Sequence, residues 1–189
     1  QAHYLNVIHN SGKTLLRIID DILDFAKMEA RKLTIVNRSF SLRELIYEVD
    51  LLFQIKAKEK SLKFIVTVEC NLSYDLIGDP DRIKQILFNL LGNAFKFTQQ
   101  GEVQLLARCV LIPQQQIIEL QLTVSDTGIG ISAENQKRLF QEFTQVGEAT
   151  QHIHGTGLGL VITRNLLSLM HGTIMLSSEV GKGTEFNVH

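Results

Sequence analysis

Asp79-Pro-Asp-Arg-Ile-Lys-Gln-Ile-Leu-Phe-Asn-Leu-Leu-Gly-Asn-Ala-Phe-Lys-Phe-Thr98 is the stretch from which the rest of the chain can be read. Asp79 before Pro80 marks a helix start, because proline is tolerated in a first turn whose N–H groups have no intrahelical acceptor. From there Ile83, Ile86, Leu87, Leu90, Leu91 and Ala94 recur at helical spacing and form one apolar face. Beside it runs a second stripe, Gln85, Asn89, Asn93 and Lys96, spaced four, four and three. Three of those four are carboxamides, where a free surface helix ordinarily carries Glu or Lys, since Asn is a mediocre helix former. Two Asn one turn apart suit a polar cavity as neutral oxygen ligands and N–H donors. An ordinary solvated face is the competing reading, and the helix alone does not choose between them.

Working outward, Glu102 to Val110 and Ile117 to Val124 alternate as strands do, and the short Pro113-Gln-Gln-Gln turn predicts antiparallel neighbours. A polar, glycine-punctuated segment from Asp126 to Gly159 holds one short helix, about Glu134 to Phe140, and is otherwise long for an idle connection. A helix from about Leu158 to Met170 and strands Thr173 to Ser178 and Thr184 to Val188 close the chain. Upstream, Ser61 to Cys70 and a shorter run from Tyr74 to Ile77 read as strands. Ser41 is the N-cap of a helix from about Leu42 to Lys58, after an extended stretch from Leu33 to Phe40. Mostly antiparallel strands with helices between them predict a two-layer α/β sandwich, a mixed sheet with helices on one face.

Residues Leu5, Ile8, Gly12, Leu15, Ile19, Ile22 and Ala26 alternate spacings of three and four, the seam of a coiled coil or helical bundle. Leu16 and Leu23 widen the stripe beyond what one partner helix covers. Such a helix needs another helix or another copy of itself to bury that face; lying on its own domain is the alternative. The pattern fades near Met28 to Lys32 and divides the chain into 1–32 and 33–189. The chain starts inside the helical pattern without an N-cap and stops inside an alternating run, as an excised piece of a longer protein would.

The 189 residues suffice for one well-buried domain plus an appendage. With a net charge of -1 and no basic stripe, nothing predicts nucleic acid. No apolar run approaches the roughly 18–20 residues that span a bilayer, so no membrane contact by this stretch is expected. Cys70 and Cys109 are too few for a disulfide framework, and each ends an alternating run (Phe64, Val66, Val68, Cys70; Val103, Leu105, Ala107, Cys109). They are expected as small inward-facing core residues in a reducing cytoplasm, without a redox role.

Three glycine clusters follow the helix. Asp126-Thr-Gly-Ile-Gly-Ile131 comes directly after a strand, where glycines let backbone approach a ligand and the carboxylate can accept from an amino group. Gly155-Thr-Gly-Leu-Gly-Leu160 opens a helix, whose free N–H groups and dipole can hold phosphate. Gly181-Lys-Gly-Thr184 forms a tight turn before the last strand. Each alone is weak; their order carries the reading. Together they resemble the ATP-binding domain of sensor histidine kinases over nearly the whole chain. Asp79 to Thr98 looks like that family's N box, Asp126 to Gly130 its first glycine box and Gly155 to Gly159 its second. Leu139-Phe-Gln-Glu-Phe143 looks like its phenylalanine box, and Gly181-Lys-Gly-Thr-Glu-Phe186 its closing strand signature. Ile8-His-Asn-Ser-Gly12 and Ile22-Leu-Asp-Phe-Ala-Lys-Met-Glu29 resemble the second helix of the dimerisation stem, particularly of hybrid kinases.

The resemblance implies the histidine-kinase/gyrase-like ATPase fold and the cofactors ATP and Mg²⁺. It implies that Asn93 coordinates Mg²⁺, with the catalytic pair Asn89 and Lys96 on the same face, Lys96 reaching phosphate oxygens. Phe97 would line the pocket, and Asp126 would accept from the adenine amino group. Gly128 and Gly130 would permit backbone approach, while Gly155, Thr156, Gly157, Leu158 and Gly159 would form a lid and helix start behind the phosphates. Phe140 and Phe143 would anchor that lid. His154 stands where many members have glycine, and His152 with His154 lacks the further ligands of a zinc site.

The family's acceptor histidine lies on the first stem helix in a Ser-His-Glu-x-x-Thr-Pro type box, absent from this sequence, so neither His3 nor His9 is expected to be phosphorylated. Expected partners are the missing stem helix, a response-regulator receiver domain and a second copy in a homodimeric parent. The setting would be the cytoplasm, whether or not the parent is membrane-anchored. Gyrase-type, chaperone and mismatch-repair ATPases share the superfamily but use a glutamate base one turn before the magnesium asparagine; Asn89, which stands there, cannot take a proton from water. A nucleotide-binding dimerisation module with lapsed kinase activity is the third reading, opposed by the intact Asn93, Lys96, Asp126 and glycines.

Overall fold

The computed structural model describes residues 2–70, 75–112, 117–141 and 157–189. It opens with helix α1, Ala2–Glu29, and closes that helix with Arg31 in the left-handed region at φ 53°, where Lys32 N donates to Lys27 O. Strand β1 (Arg38–Phe40) pairs antiparallel with β3 (Leu76–Gly78) as a small separate ribbon. Between them come helix α2 (Leu42–Lys60) and strand β2 (Lys63–Glu69). Ser41 caps α2, its side chain accepting from Glu44 N at 3.3 Å.

Helix α3 spans Pro80–Phe97, and its boundary follows from Asp79. That buried carboxylate accepts from Arg82 N at 3.1 Å and from Val36 N at 2.9 Å, so it caps the helix and anchors the preceding extended segment together. Strands β4 (Glu102–Ile112) and β5 (Ile117–Asp126) form the antiparallel pair foreseen from their spacing; the turn at Pro113 lies outside the described residues. Helix α4 is a single turn, Ala133–Gln136, shorter than expected. Helix α5 (Gly159–Leu169) and strands β6 (Ile174–Glu179) and β7 (Gly183–Val188) complete the chain.

The main sheet has the order β2-β4-β5-β7-β6, parallel between β2 and β4 and antiparallel elsewhere. Alternation decides its faces. Phe64, Val103, Leu105, Ala107, Leu122, Val124, Phe186 and Val188 are buried, whereas Lys63, Gln104, Arg108 and Glu185 between them are exposed. Helices α2, α3 and α5 supply the apolar faces that pair with the buried one, giving the two-layer sandwich. Phe53 of α2 stacks on Phe95 of α3 at 5.4 Å, and Phe64 of β2 meets Phe95 edge-on at the same distance. That aromatic junction pins α3 across the sheet.

The cysteines pack against the core as expected, but not as two separate thiols. Cys70 and Cys109 are joined in a disulfide with Cα atoms 4.9 Å apart. The cause is register: β2 and β4 are parallel neighbours with Glu69 opposite Arg108, so the next residues on each strand face one another within bridging range.

Candidate functional site

Two parts of α3 and the end of β5 converge. Thr98, fully buried at the C-cap of α3, places its Oγ1 2.7 Å from Ala94 O and close to the Asp126 carboxylate, its one hydroxyl proton shared between two acceptors. Asp126 ends β5, and its Oδ1 accepts from Gly128 N at 2.8 Å. Desolvation by the surrounding protein pushes the Asp126 carboxyl above the usual carboxylate range, against the hydrogen bonds from Gly128, Thr184 and Thr98 that favour the charge. The result is a half-buried acceptor held by neighbours but not neutralised by a salt bridge with any described cation.

Two glycines make this geometry possible. A Cβ on Gly128 would lie 2.5 Å from Phe97 O and 2.8 Å from Asp126 Oδ1. One on Gly183, at φ 116°, would lie 1.8 Å from Asp126 O. The backbone at the carboxylate is therefore approached from both sides more closely than any side chain allows. Ile129 N donates to Phe97 O and Gly181 N to Ile129 O, so the segment carrying Gly130 is tied to α3 and to the β6–β7 turn.

On α3 itself, Asn89 Nδ2 donates to Gly159 O at 3.2 Å and lies 3.5 Å from Thr163 Oγ1, linking α3 to the start of α5. Asn93 follows one turn later, half-buried. Lys96 is half-buried too, its Nζ 5.1 Å from the Phe97 ring centroid. Leu158, buried at the N-cap of α5, has no side-chain group that could cap it, and a helix start of this kind is where anions are commonly held. Gly157 precedes it at φ 71°. Phe140 packs against the core beneath Arg164, whose guanidinium carbon lies 5.7 Å from its ring centroid.

Gly155, Thr156, Phe143, His152 and His154 lie outside the described residues, as do the side chains of His3 and His9. Gln85, grouped by spacing with Asn89 and Asn93, goes elsewhere: it bonds Asp24 of α1 and Arg82.

A family model described as "Histidine kinase-, DNA gyrase B-, and HSP90-like ATPase" matches residues 78–189. The chain belongs to this family. Its relatives are sensor histidine kinases. Signal transduction histidine-protein kinase BarA of Escherichia coli (strain K12) is 39% identical over 190 aligned positions, covering 100% of this chain and 21% of BarA. Sensor histidine kinase GacS of Pseudomonas protegens is 40% identical over 188 positions, covering 98% of this chain and 20% of GacS. The chain thus spans about a fifth of the length of these relatives. Among solved structures, full-length ShkA in complex with AMPPNP superposes with a TM-score of 0.80 at 31% identity, over 100% of this chain and 38% of that one. Histidine kinase ThkA in complex with response regulator protein TrrA gives 0.68 at 25% identity, over 98% and 49%.

Within this histidine-kinase ATPase fold, the ATP-binding catalytic domain of sensor kinases, sequence reasoning missed Thr98 and Thr184. Thr98 supports Asp126 through its side chain and Thr184 through its backbone N–H, from the strand position opposite. A signal existed: a threonine ends the helix motif and another follows the last glycine pair, each beside a segment already singled out.

Proposed function

We propose that the chain binds Mg²⁺–ATP and transfers its γ-phosphoryl group to a histidine on the dimerisation stem of a two-component sensor kinase. Residues 1–32 are then the second stem helix and 33–189 the ATP-binding unit. The observation that carries this is the half-buried Asp126 carboxylate with Gly128 packed between it and Phe97 O at the end of α3, the helix that also bears Asn93 and Lys96 and is tied to the start of α5 through Asn89. Asp126 accepts from the adenine amino group, and Phe97, Gly128 and Gly130 line the base and sugar. Lys96 and the segment Gly155, Thr156, Gly157, Leu158 and Gly159 attend the phosphates. The AMPPNP complex of ShkA supports an adenine nucleotide as the ligand class.

The residues fit a magnesium ion of the usual kind, which keeps several waters and takes few protein ligands. Among the described residues no group of three or more His, Cys, Asp or Glu could hold a metal. The Asn93 carboxamide oxygen would hold the ion together with phosphate oxygens, and bound there it neutralises charge on the transferred group. Asn89, committed to Gly159 O, steadies the phosphate side and has no basicity for activating water, which favours transfer over hydrolysis.

The acceptor lies on the stem helix that this sequence does not include, and neither His3 nor His9 takes the phosphoryl group. The exposed stripe of α1 supports a homodimeric parent, and the ThkA–TrrA complex supports a receiver domain as the downstream partner. No helix among the described residues is long and apolar enough to cross a membrane; dependence on ATP favours a cytoplasmic setting, whether or not the parent is anchored.

Calorimetric titration with Mg²⁺ and a non-hydrolysable ATP analogue tests the proposal. Saturable binding is expected, weakened about tenfold or more by Asp126→Asn, as loss of a charge-assisted hydrogen bond worth roughly 1.5–3 kcal/mol implies. Affinity should also fall as pH is lowered through the raised Asp126 value, because the protonated carboxyl is a poorer acceptor. Absence of binding by the folded wild type would put the lapsed-kinase reading first.

A further inference from the structure

We infer that Asp24, Arg82 and Gln85 are positioning residues for phosphoryl transfer, a polar clamp that sets how the ATP-binding unit docks on α1 without helping to hold nucleotide. The inference rests on the function proposed above. Arg82 Nη1 donates to Asp24 Oδ2 at 2.8 Å and to Gln85 Oε1 at 2.7 Å, while Gln85 Nε2 donates to the same Asp24 oxygen at 2.8 Å. The three groups close a ring across segments 58 and 61 residues apart. The Asp24 and Arg82 side chains are only 15% and 23% exposed, so the pair is shielded more than a surface bridge.

Helix α1 also neighbours α5, and among its described side chains the apolar contacts lie near its end. Phe25 and Met28 pack against the core, but Leu15, Leu16, Ile19, Ile22 and Leu23 before them are exposed. The connection after α1 turns through Arg31 in the left-handed region. An apolar contact at one end of a helix permits rotation about it, whereas two donors from α3, Arg82 Nη1 and Gln85 Nε2, converge on one Asp24 oxygen and fix its position.

Arg82 and Gln85 occupy the first turns of α3, and Asn93 and Lys96 its last two. From Gln85 these stand roughly 12 and 16 Å along the axis at a rise of about 1.5 Å per residue. The clamp is therefore outside the nucleotide site yet on the same rigid helix, and a small rotation at the clamp becomes a larger displacement at the phosphate end. Transfer between two bodies needs reacting atoms about 3–3.5 Å apart, and a 1 Å misplacement can cost on the order of 100-fold.

The test uses Arg82→Met, Gln85→Leu and the reciprocal swap Asp24→Arg with Arg82→Asp. In the full-length kinase, Arg82→Met should lower the transfer rate at saturating ATP by about tenfold, with KM for ATP within twofold. Gln85→Leu should lower it less, and the swap should recover most of it. In the present chain, diluted with unlabelled copies, spin labels on Asp20→Cys and Thr67→Cys should report a broader distance distribution in Arg82→Met and a narrowed one in the swap. Unchanged distances and rates would overturn the clamp. Faster transfer would make it an inhibitory latch, and weakened analogue binding would assign the residues to the pocket; either also overturns it. Gln85→Leu leaves the ion pair intact and keeps the test decisive if Arg82→Met fails to fold. Failure of the wild-type chain to bind the analogue would sink the proposed function, while the distances would still report on the clamp.

Discussion

Helices α1 and α3 carry apolar stripes of similar strength in sequence and meet opposite fates. In α3, Ile86, Leu87, Leu90 and Leu91 are almost wholly removed from water. In α1, Leu16 remains 63% exposed and Ile19 43%. Both patterns announce a face that must be buried, but the pattern does not say by what. The α3 face meets α2, α5 and the sheet of its own chain. Among the described side chains of α1, those that do so include Phe25, Met28 and Asp24 of the Asp24–Arg82–Gln85 ring near its end, and the helix neighbours α5. The difference separates a face that stabilises this fold from one that is free to take a partner.

The largest test of that contrast is Leu90→Ala. Leu90 is fully buried where α3 meets the sheet, and truncation there removes apolar contact and leaves a cavity. We expect a loss of about 3–5 kcal/mol, seen in chemical denaturation as a lower midpoint with an unchanged slope. A loss below 1 kcal/mol would mean that α3 is not the centre of the core.

Burial under α3 should also matter more than the covalent link at the sheet edge. The Cys70–Cys109 disulfide closes a 39-residue separation, and reducing it should cost about 2–4 kcal/mol, chiefly through the entropy regained by the unfolded chain. Denaturation with and without a reductant, set against Cys70→Ser with Cys109→Ser, measures this. A cost well above that of Leu90→Ala would reverse the ranking. In a reducing compartment the dithiol is the expected form, so the fold should remain cooperative without the bridge.

That disulfide marks where sequence reading runs out. Elements set by local signals are legible: Asp79-Pro80 gives the start of α3, Ser41 that of α2, and the short turn at 113–116 the β4–β5 pairing. The parallel pairing of β2 with β4 is not, because a whole helix intervenes and no local signal names the neighbour. Cys109 lies on β4 as read and Cys70 one residue past the end of β2, and the two were left apart for that reason. Gln85 failed similarly. Spacings of four and three align a stripe, but a long helix presents one stripe to different neighbours at its two ends. Around Asp126, Gly128 was read as room for a ligand and Gly183 as part of a tight turn, and the structure shows both pressed against the chain's own backbone. Thr98 and Thr184 stood inside quoted motifs but were given no role, because which residues meet Asp126 is set by tertiary pairing.

The smallest effect is the sharpest about α1. Ile19→Ala removes a side chain already 43% in water, so the unfolding midpoint of the monomer should move by no more than about 0.5 kcal/mol. Self-association, followed by sedimentation over a range of concentrations, should weaken in the same variant if a second copy covers that face. Stability should then depend on concentration in the wild type and less so in Ile19→Ala, because a partner that binds only the folded state stabilises it by mass action. A midpoint lowered by several degrees in dilute, monomeric Ile19→Ala would place the stripe against its own chain, and α1 would join α3 as part of one core.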